Sequence, residues 1–263
     1  MSTAPVGMYD SGVGGLSVLR EIERVLPHES VLYVADSANA PWGDKPREFV
    51  RERGLTIGRF LVRQGVKAIV IGSNTGSAGS AEVVRADVSV PVVAMEPGIK
   101  PAVAATKTGV VGAIVTATMS GSDRMTSLID RFGKDVRVID QPVPGLVQHV
   151  EDGDLDSAEL QLMVERYIRP LLDAGADTIV LGSTHYVFLK PLIAAVAGPN
   201  VRLVDTGEAV ARQLARVLDE RGLSAPAGST RIERFWTTGD PAASQRVMSA
   251  LLAHPVTVTK LLE

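Results

Sequence analysis

Short apolar runs recur along the chain. Each is followed by a cluster of Gly, Ser, Thr, Asn or Asp and then by a helical period. That order is the βα unit of a parallel sheet, whose buried strands read as continuous apolar runs rather than alternating ones. The pattern predicts strands over 5–9, 30–35, 67–71 and 90–95. Helices are predicted over 16–25, 47–64 and 81–86. The plan then repeats. Helices are expected over 99–105, 122–132, 159–174 and 208–221, and strands over 110–115, 136–140, 178–181 and 201–204, the last taken as the final parallel strand. The Pro/Gly/Ala-rich stretch 224–229 reads as a loop. A late strand over 231–237 is expected to return to the first half.

One echo stands out. Ile71-Gly72-Ser73-Asn74-Thr75 ends one apolar run, and Leu181-Gly182-Ser183-Thr184-His185 ends another. Polar groups at the carboxyl ends of parallel strands are where open α/β sheets bind ligands. The expectation is an α/β fold of two similar doubly wound parallel-sheet domains, related by pseudo-twofold symmetry. We divide them as 1–97 with 208–263, and 98–207. A small polar molecule is expected in a cleft between them.

Composition narrows the classes of function. The chain has 263 residues, 45% of them hydrophobic but only 4% aromatic, so aliphatic side chains must fill the cores. A net charge of −3 gives no basic footprint for nucleic acid. No apolar run is long enough to span a membrane, and the first residues lack the features of a secretory signal, so a cytoplasmic protein is expected. There is no cysteine. Disulfides, thiolate metal sites and thiol catalysis are therefore excluded.

Several segments carry candidate chemistry. Asp10-Ser11-Gly12-Val13-Gly14-Gly15 is a glycine-rich strand-to-helix turn that can present N–H groups to an anion. Its alternative is a tight turn capped by Asp10 or Ser11. Ser73-Asn74-Thr75 and Ser183-Thr184-His185 offer ligand contacts, or helix caps. A single occurrence favours capping, and the pair favours ligand contact. His185 is a candidate acid or base. The four histidines show no metal spacing, so no metal is expected. A serine hydrolase using Ser73 or Ser183 with His185 and Asp10 or Asp205 lacks the usual G-x-S-x-G elbow.

Five ordered motifs resemble the glutamate racemase family. They are the run 10–18, the segment 33–43 that includes Pro41-Trp42-Gly43, the run 66–75, Pro91 to Pro97, and the run 181–186. Ser73 and Ser183 stand where that family carries cysteine. Trp42 stands where tyrosine is usual, and Val187 where proline is usual. The resemblance implies cofactor-independent racemisation of an acidic amino acid or similar dicarboxylate, and a dimer. One cysteine removes the α-proton and the other protonates the opposite face, which yields D-glutamate for peptidoglycan. It further implies that Asp10, His185 and Glu151 assist those groups. Ser11, Pro41, Trp42, Gly43, Asn74, Thr75, Thr118 and Thr184 fall at substrate-contact positions.

The hydroxyls matter energetically. A free thiol ionises near pH 8.5, whereas a hydroxyl resembles water at roughly 15.7. Forming the oxygen base then costs on the order of 10 kcal/mol more, unless a helper base stands beside it. Asp10, Glu151 and His185 are the only helpers in view, and little exchange of the α-proton is expected. Three readings follow: a racemase silenced by serine, a relative with other carboxylate chemistry such as isomerisation or decarboxylation, and a non-catalytic binding protein.

Overall fold

The computed structural model describes residues 1–262. Contacts within the chain divide it into two compact units, Met1–Glu96 with Gly207–Glu263, and Pro97–Thr206. The first unit opens with β1 (Val6–Asp10), α1 (Leu16–Val25), β2 (Val31–Ala35), α2 (Arg47–Arg63), β3 (Ala68–Ile71), α3 (Asn74–Asp87) and β4 (Val92–Val93). The second runs through α4 (Ile99–Ala105), β5 (Val110–Val115), α5 (Asp123–Phe132), β6 (Arg137–Pro142), α6 (Leu146–Glu151), α7 (Ala158–Asp173), β7 (Thr178–Leu181), α8 (Lys190–Ala197) and β8 (Arg202–Val204). The chain then returns to the first unit with α9 (Gly207–Glu220), β9 (Glu233–Thr237), α10 (Pro241–Leu252) and β10 (Val258–Lys260).

Both sheets are parallel. The first has the order β10-β9-β2-β1-β3-β4 and the second β6-β5-β7-β8. In each unit the first strand is flanked by the second and third, with the fourth outside the third. The internal echo in the sequence is thus an echo of topology, and β3 and β7 are equivalent strands. The first unit differs by adding β9 and β10 beyond β2.

Burial explains why these strands form. Every residue of β1, β2, β3 and β7 is buried, as continuous apolar runs require when helices cover both faces. In the first unit α2 and α3 pack together, while α1 packs against α9 and α10. The contact between α2 and α3 is close because its residues are small. A Cβ on Gly54 would lie 2.4 Å from Ser80 Cβ, and one on Gly79 would lie 2.5 Å from a Val50 methyl.

Four expectations need correction. Helix α3 begins at Asn74, well before 81, because Gly76, Gly79 and Ser80 form its packing face and not a loop. The strand expected over 90–95 shrinks to Val92–Val93, since Pro91 lacks an N–H to give a ladder. Strand β8 is not the last parallel strand: the late strand expected over 231–237 forms β9, parallel to β2 in the first sheet, and β10, mostly exposed and without a predicted counterpart, follows it. Helices α6, α8 and α10 had no counterpart among the predicted elements.

Candidate functional site

In the first unit, Asp10 closes β1 and is fully buried. Its Oδ1 accepts the Ser11 N–H at 2.6 Å and the Ser11 hydroxyl at 3.1 Å. One N–H of the glycine-rich turn is thus taken by the chain's own carboxylate. Tyr33 on β2 donates its hydroxyl to the Gly12 carbonyl at 2.8 Å and pins the turn. A Cβ at Gly15 would sit 2.8 Å from that hydroxyl oxygen and 2.9 Å from Asp10 Cβ, so glycine is required there.

Ser73 lies beside this turn because β3 pairs with β1. The Gly72 N–H bonds the Tyr9 carbonyl at 2.8 Å, and a Cβ on Gly72 would lie 3.4 Å from Gly15 Cα. Ser73 is buried and caps α3: its hydroxyl oxygen accepts the Gly76 N–H at 3.2 Å. Such a cap contributes about 0.5–2 kcal/mol. Asn74 is buried and Thr75 half-buried in the first turn of that helix.

The segment with Pro41, Trp42 and Gly43 is held by Asp36, which was not among the sequence-derived candidates. Asp36 is fully buried. It accepts the Trp42 indole N–H at 2.9 Å, two Arg53 hydrogen bonds at 2.9 and 2.8 Å, the Asn39 amide at 2.9 Å and the Thr238 hydroxyl at 2.8 Å. Trp42 is only 1% exposed, and a Cβ on Gly76 would lie 3.3 Å from its ring. Its side chain supports the first turn of α3, while Pro41 is exposed and Gly43 half-buried. Arg53 sits inside a regular helix, with no local motif to mark it.

In the second unit, Gly182 repeats the role of Gly72. Its N–H bonds the Ile114 carbonyl at 2.8 Å, and a Cβ there would lie 2.6 Å from that oxygen. Ser183, Thr184 and His185 follow, all buried. Ser183 Oγ lies 3.3 Å from His185 Nδ1, and His185 Nε2 lies 2.6 Å from Glu151 Oε1 at the end of α6. The carboxylate calls for the ring proton on Nε2, which leaves the Nδ1 lone pair to accept from the Ser183 hydroxyl. The result is a hydroxyl–imidazole–carboxylate relay. Thr118, beyond β5, is exposed. Tyr186 has no exposed surface, and burial pushes its phenol well above the usual range.

The two serines therefore differ. Ser183 has a base oriented by an acid. Both hydroxyl oxygens accept a peptide N–H, Ser73 from Gly76 at 3.2 Å and Ser183 from His185 at 3.4 Å, so the imidazole is what sets Ser183 apart. Elsewhere, Glu23, Glu233 and His254 are the one group among the described residues with metal-ligand proximity. Arg231 pairs with both carboxylates and supplies the balancing charge there.

Known proteins identify the family. Residues 13–214 match the family model described as Asp/Glu/Hydantoin racemase. A glutamate racemase of Pseudomonas paraeruginosa is 49% identical over 98% of both chains. A crystal structure of a glutamate racemase isoform from Bacillus anthracis has a TM-score of 0.88 at 29% identity, covering 99% of this chain and 98% of that one. The Escherichia coli glutamate racemase, solved with L-glutamate and the activator UDP-MurNAc-Ala, has a TM-score of 0.85 at 29% identity over 98% of each chain. The chain belongs to the Asp/Glu/hydantoin racemase family, and its relatives place it among the glutamate racemases.

Proposed function

We propose that the protein binds glutamate and acts at its α-carbon by proton transfer without a cofactor, with Ser73 and Ser183 at the two acid–base positions. The observation that carries this reading is the Ser183–His185–Glu151 relay at the carboxyl end of β7. Its support from outside the chain is the family and a relative solved with L-glutamate. Ser11, Pro41, Gly43, Asn74, Thr75, Thr118 and Thr184 are proposed as substrate contacts. Asp10 is proposed as a support to Ser73, and Trp42 as the prop beneath that segment.

Magnitudes set the expected rate. An oxygen base in place of sulfur adds on the order of 10 kcal/mol. General acid–base assistance recovers about 10²–10⁴-fold, or roughly 3–5 kcal/mol. Turnover is therefore far below that of a thiol enzyme at the same geometry. The product is D-glutamate, and the proposed setting is its supply to peptidoglycan in the cytoplasm.

Isothermal titration with D- and L-glutamate and D- and L-aspartate tests the binding claim. Saturable heat with at least one enantiomer of glutamate is expected. The absence of heat with all four contradicts it. The same relay also favours a second reading, in which Ser183 is a nucleophile toward activated esters. Stoichiometric labelling of Ser183 by a fluorophosphonate would support that alternative.

A further inference from the structure

The carboxyl end of the first sheet carries a buried ion pair that the proposed chemistry does not use. Asp36, which follows β2, has no exposed surface, and the Arg53 side chain on α2 is 11% exposed. Arg53 Nε donates to Asp36 Oδ2 at 2.9 Å, and a second guanidinium nitrogen donates to Oδ1 at 2.8 Å. The Trp42 indole N–H donates to the same Oδ2 at 2.9 Å, while the Asn39 amide and the Thr238 hydroxyl donate to Oδ1. The carboxylate thus receives five hydrogen bonds. An ionised carboxylate offers about four lone-pair sites, so Asp36 has no capacity left to take a proton. Its role is to hold, and the planar fork of Arg53 fixes the plane in which it holds.

The indole carries that constraint onward. Trp42 packs on the Tyr9 ring, with centroids 6.2 Å apart, and on the first turn of α3. A Cβ on Gly76 would stand 3.3 Å from the Trp42 ring and 3.3 Å from Ser73 Cβ, so glycine lets the indole close on this turn. Gly76 gives its N–H to Ser73 Oγ at 3.2 Å. Its carbonyl accepts the Ser80 hydroxyl at 2.8 Å, and Ser80 Oγ meets the Tyr9 hydroxyl at 3.1 Å. A continuous line of contacts therefore runs from the guanidinium to the Ser73 hydroxyl, all within the first unit.

We propose that Arg53 and Asp36 are positioning residues for the substrate site: acting through the Trp42 indole, they hold the first turn of α3 and fix where Ser73 Oγ and the 41–43 segment stand. The bearing on glutamate rests on the reading above. The mechanical link from Arg53 to Gly76 does not.

The test is amide hydrogen exchange by NMR on the full chain, with Arg53→Lys and Trp42→Phe as variants. Lysine keeps the charge and loses the planar fork. Phenylalanine keeps an aromatic ring and loses the N–H donor. The readout is protection of the Gly76 N–H relative to amides of α9, which packs on α1 in the same unit. A global loss of stability lowers both, whereas a released first turn lowers Gly76 alone. Relative protection of Gly76 is expected to fall at least about tenfold in Arg53→Lys and about threefold in Trp42→Phe. In a Trp236→Phe background Trp42 is the one remaining indole, and Arg53→Lys is expected to shift its emission to the red. Titration calorimetry is expected to show glutamate bound at least about fivefold more weakly by Arg53→Lys than by the unsubstituted chain. Unchanged relative protection of Gly76 in both variants overturns the proposal, whatever the emission does. Lost protection with undiminished glutamate affinity overturns it too, since the turn then moves without consequence for the site. No binding by the unsubstituted chain removes the glutamate reading, and exchange alone then decides whether the ion pair sets the place of Ser73.

Discussion

Arg53 closes a two-pronged pair on Asp36, with hydrogen bonds of 2.9 and 2.8 Å to a carboxylate that has no exposed surface. The same carboxylate holds Trp42, Asn39 and Thr238, so one ion pair fixes the whole 37–44 segment. Arg53→Ala strands a buried charge, which typically costs about 3–5 kcal/mol. Denaturant unfolding should show a loss of that size. Arg53→Lys should recover only part of it, because an ammonium cannot reproduce the planar fork.

Gly54 and Ser80 set the spacing of α2 and α3. A Cβ on Gly54 would fall 2.4 Å from Ser80 Cβ and 2.5 Å from its hydroxyl oxygen. Gly54→Ala should destabilise by about 1–3 kcal/mol through overpacking. Adding Ser80→Gly removes the obstruction and should restore most of the loss, after allowing about 1 kcal/mol for glycine in a helix. Additive losses in the double variant would show that the helices part for some other reason.

Tyr186 carries a phenolic oxygen with no hydrogen-bond partner among the described residues, at a position without exposed surface. Deleting an unsatisfied buried hydroxyl is close to neutral or stabilising. Tyr186→Phe should leave the unfolding midpoint equal or raised. A loss of more than about 1 kcal/mol would mean the hydroxyl has a partner.

Asp177 ties the turn after α4 to the start of β7. Burial raises its pKa, but the Thr106 hydroxyl and the Lys107 and Thr108 N–H groups outweigh that and hold it at about 2, below its ordinary 3.8. A depressed carboxylate stabilises the fold above its unfolded value, and the contribution vanishes as pH falls through the folded value. The stability gap between the unsubstituted chain and Asp177→Asn should be constant above about pH 5 and narrow between about pH 4 and pH 2. A gap that widens on acidification would reverse the assignment.

The apolar strands were legible because parallel strands buried on both faces leave an unbroken signal: β5 and β7 fall where the pattern put them. Residues 76–80 misled because small side chains read as loop locally, whereas their size serves the contact of α3 with α2 and Trp42. The capping role of Ser73 was open to sequence reasoning, since serine before a helix is a common cap. The link from Glu151 to His185 was not, for 34 residues separate them and no spacing rule joins them. The resemblance named both residues without saying that they touch. Arg53 gave no signal at all, because an arginine in an amphipathic helix ordinarily faces water.

The proposed function requires Ser73 and Ser183 at the two acid–base positions. The most direct test is chiral assay of the Ser73→Cys, Ser183→Cys double variant with L- and D-glutamate. Thiols at both positions should racemise either enantiomer to an equal mixture, with initial rates at least about 10³-fold above the serine-bearing chain, given the cost of an oxygen base. A folded double variant that binds glutamate yet leaves each enantiomer unchanged would contradict it.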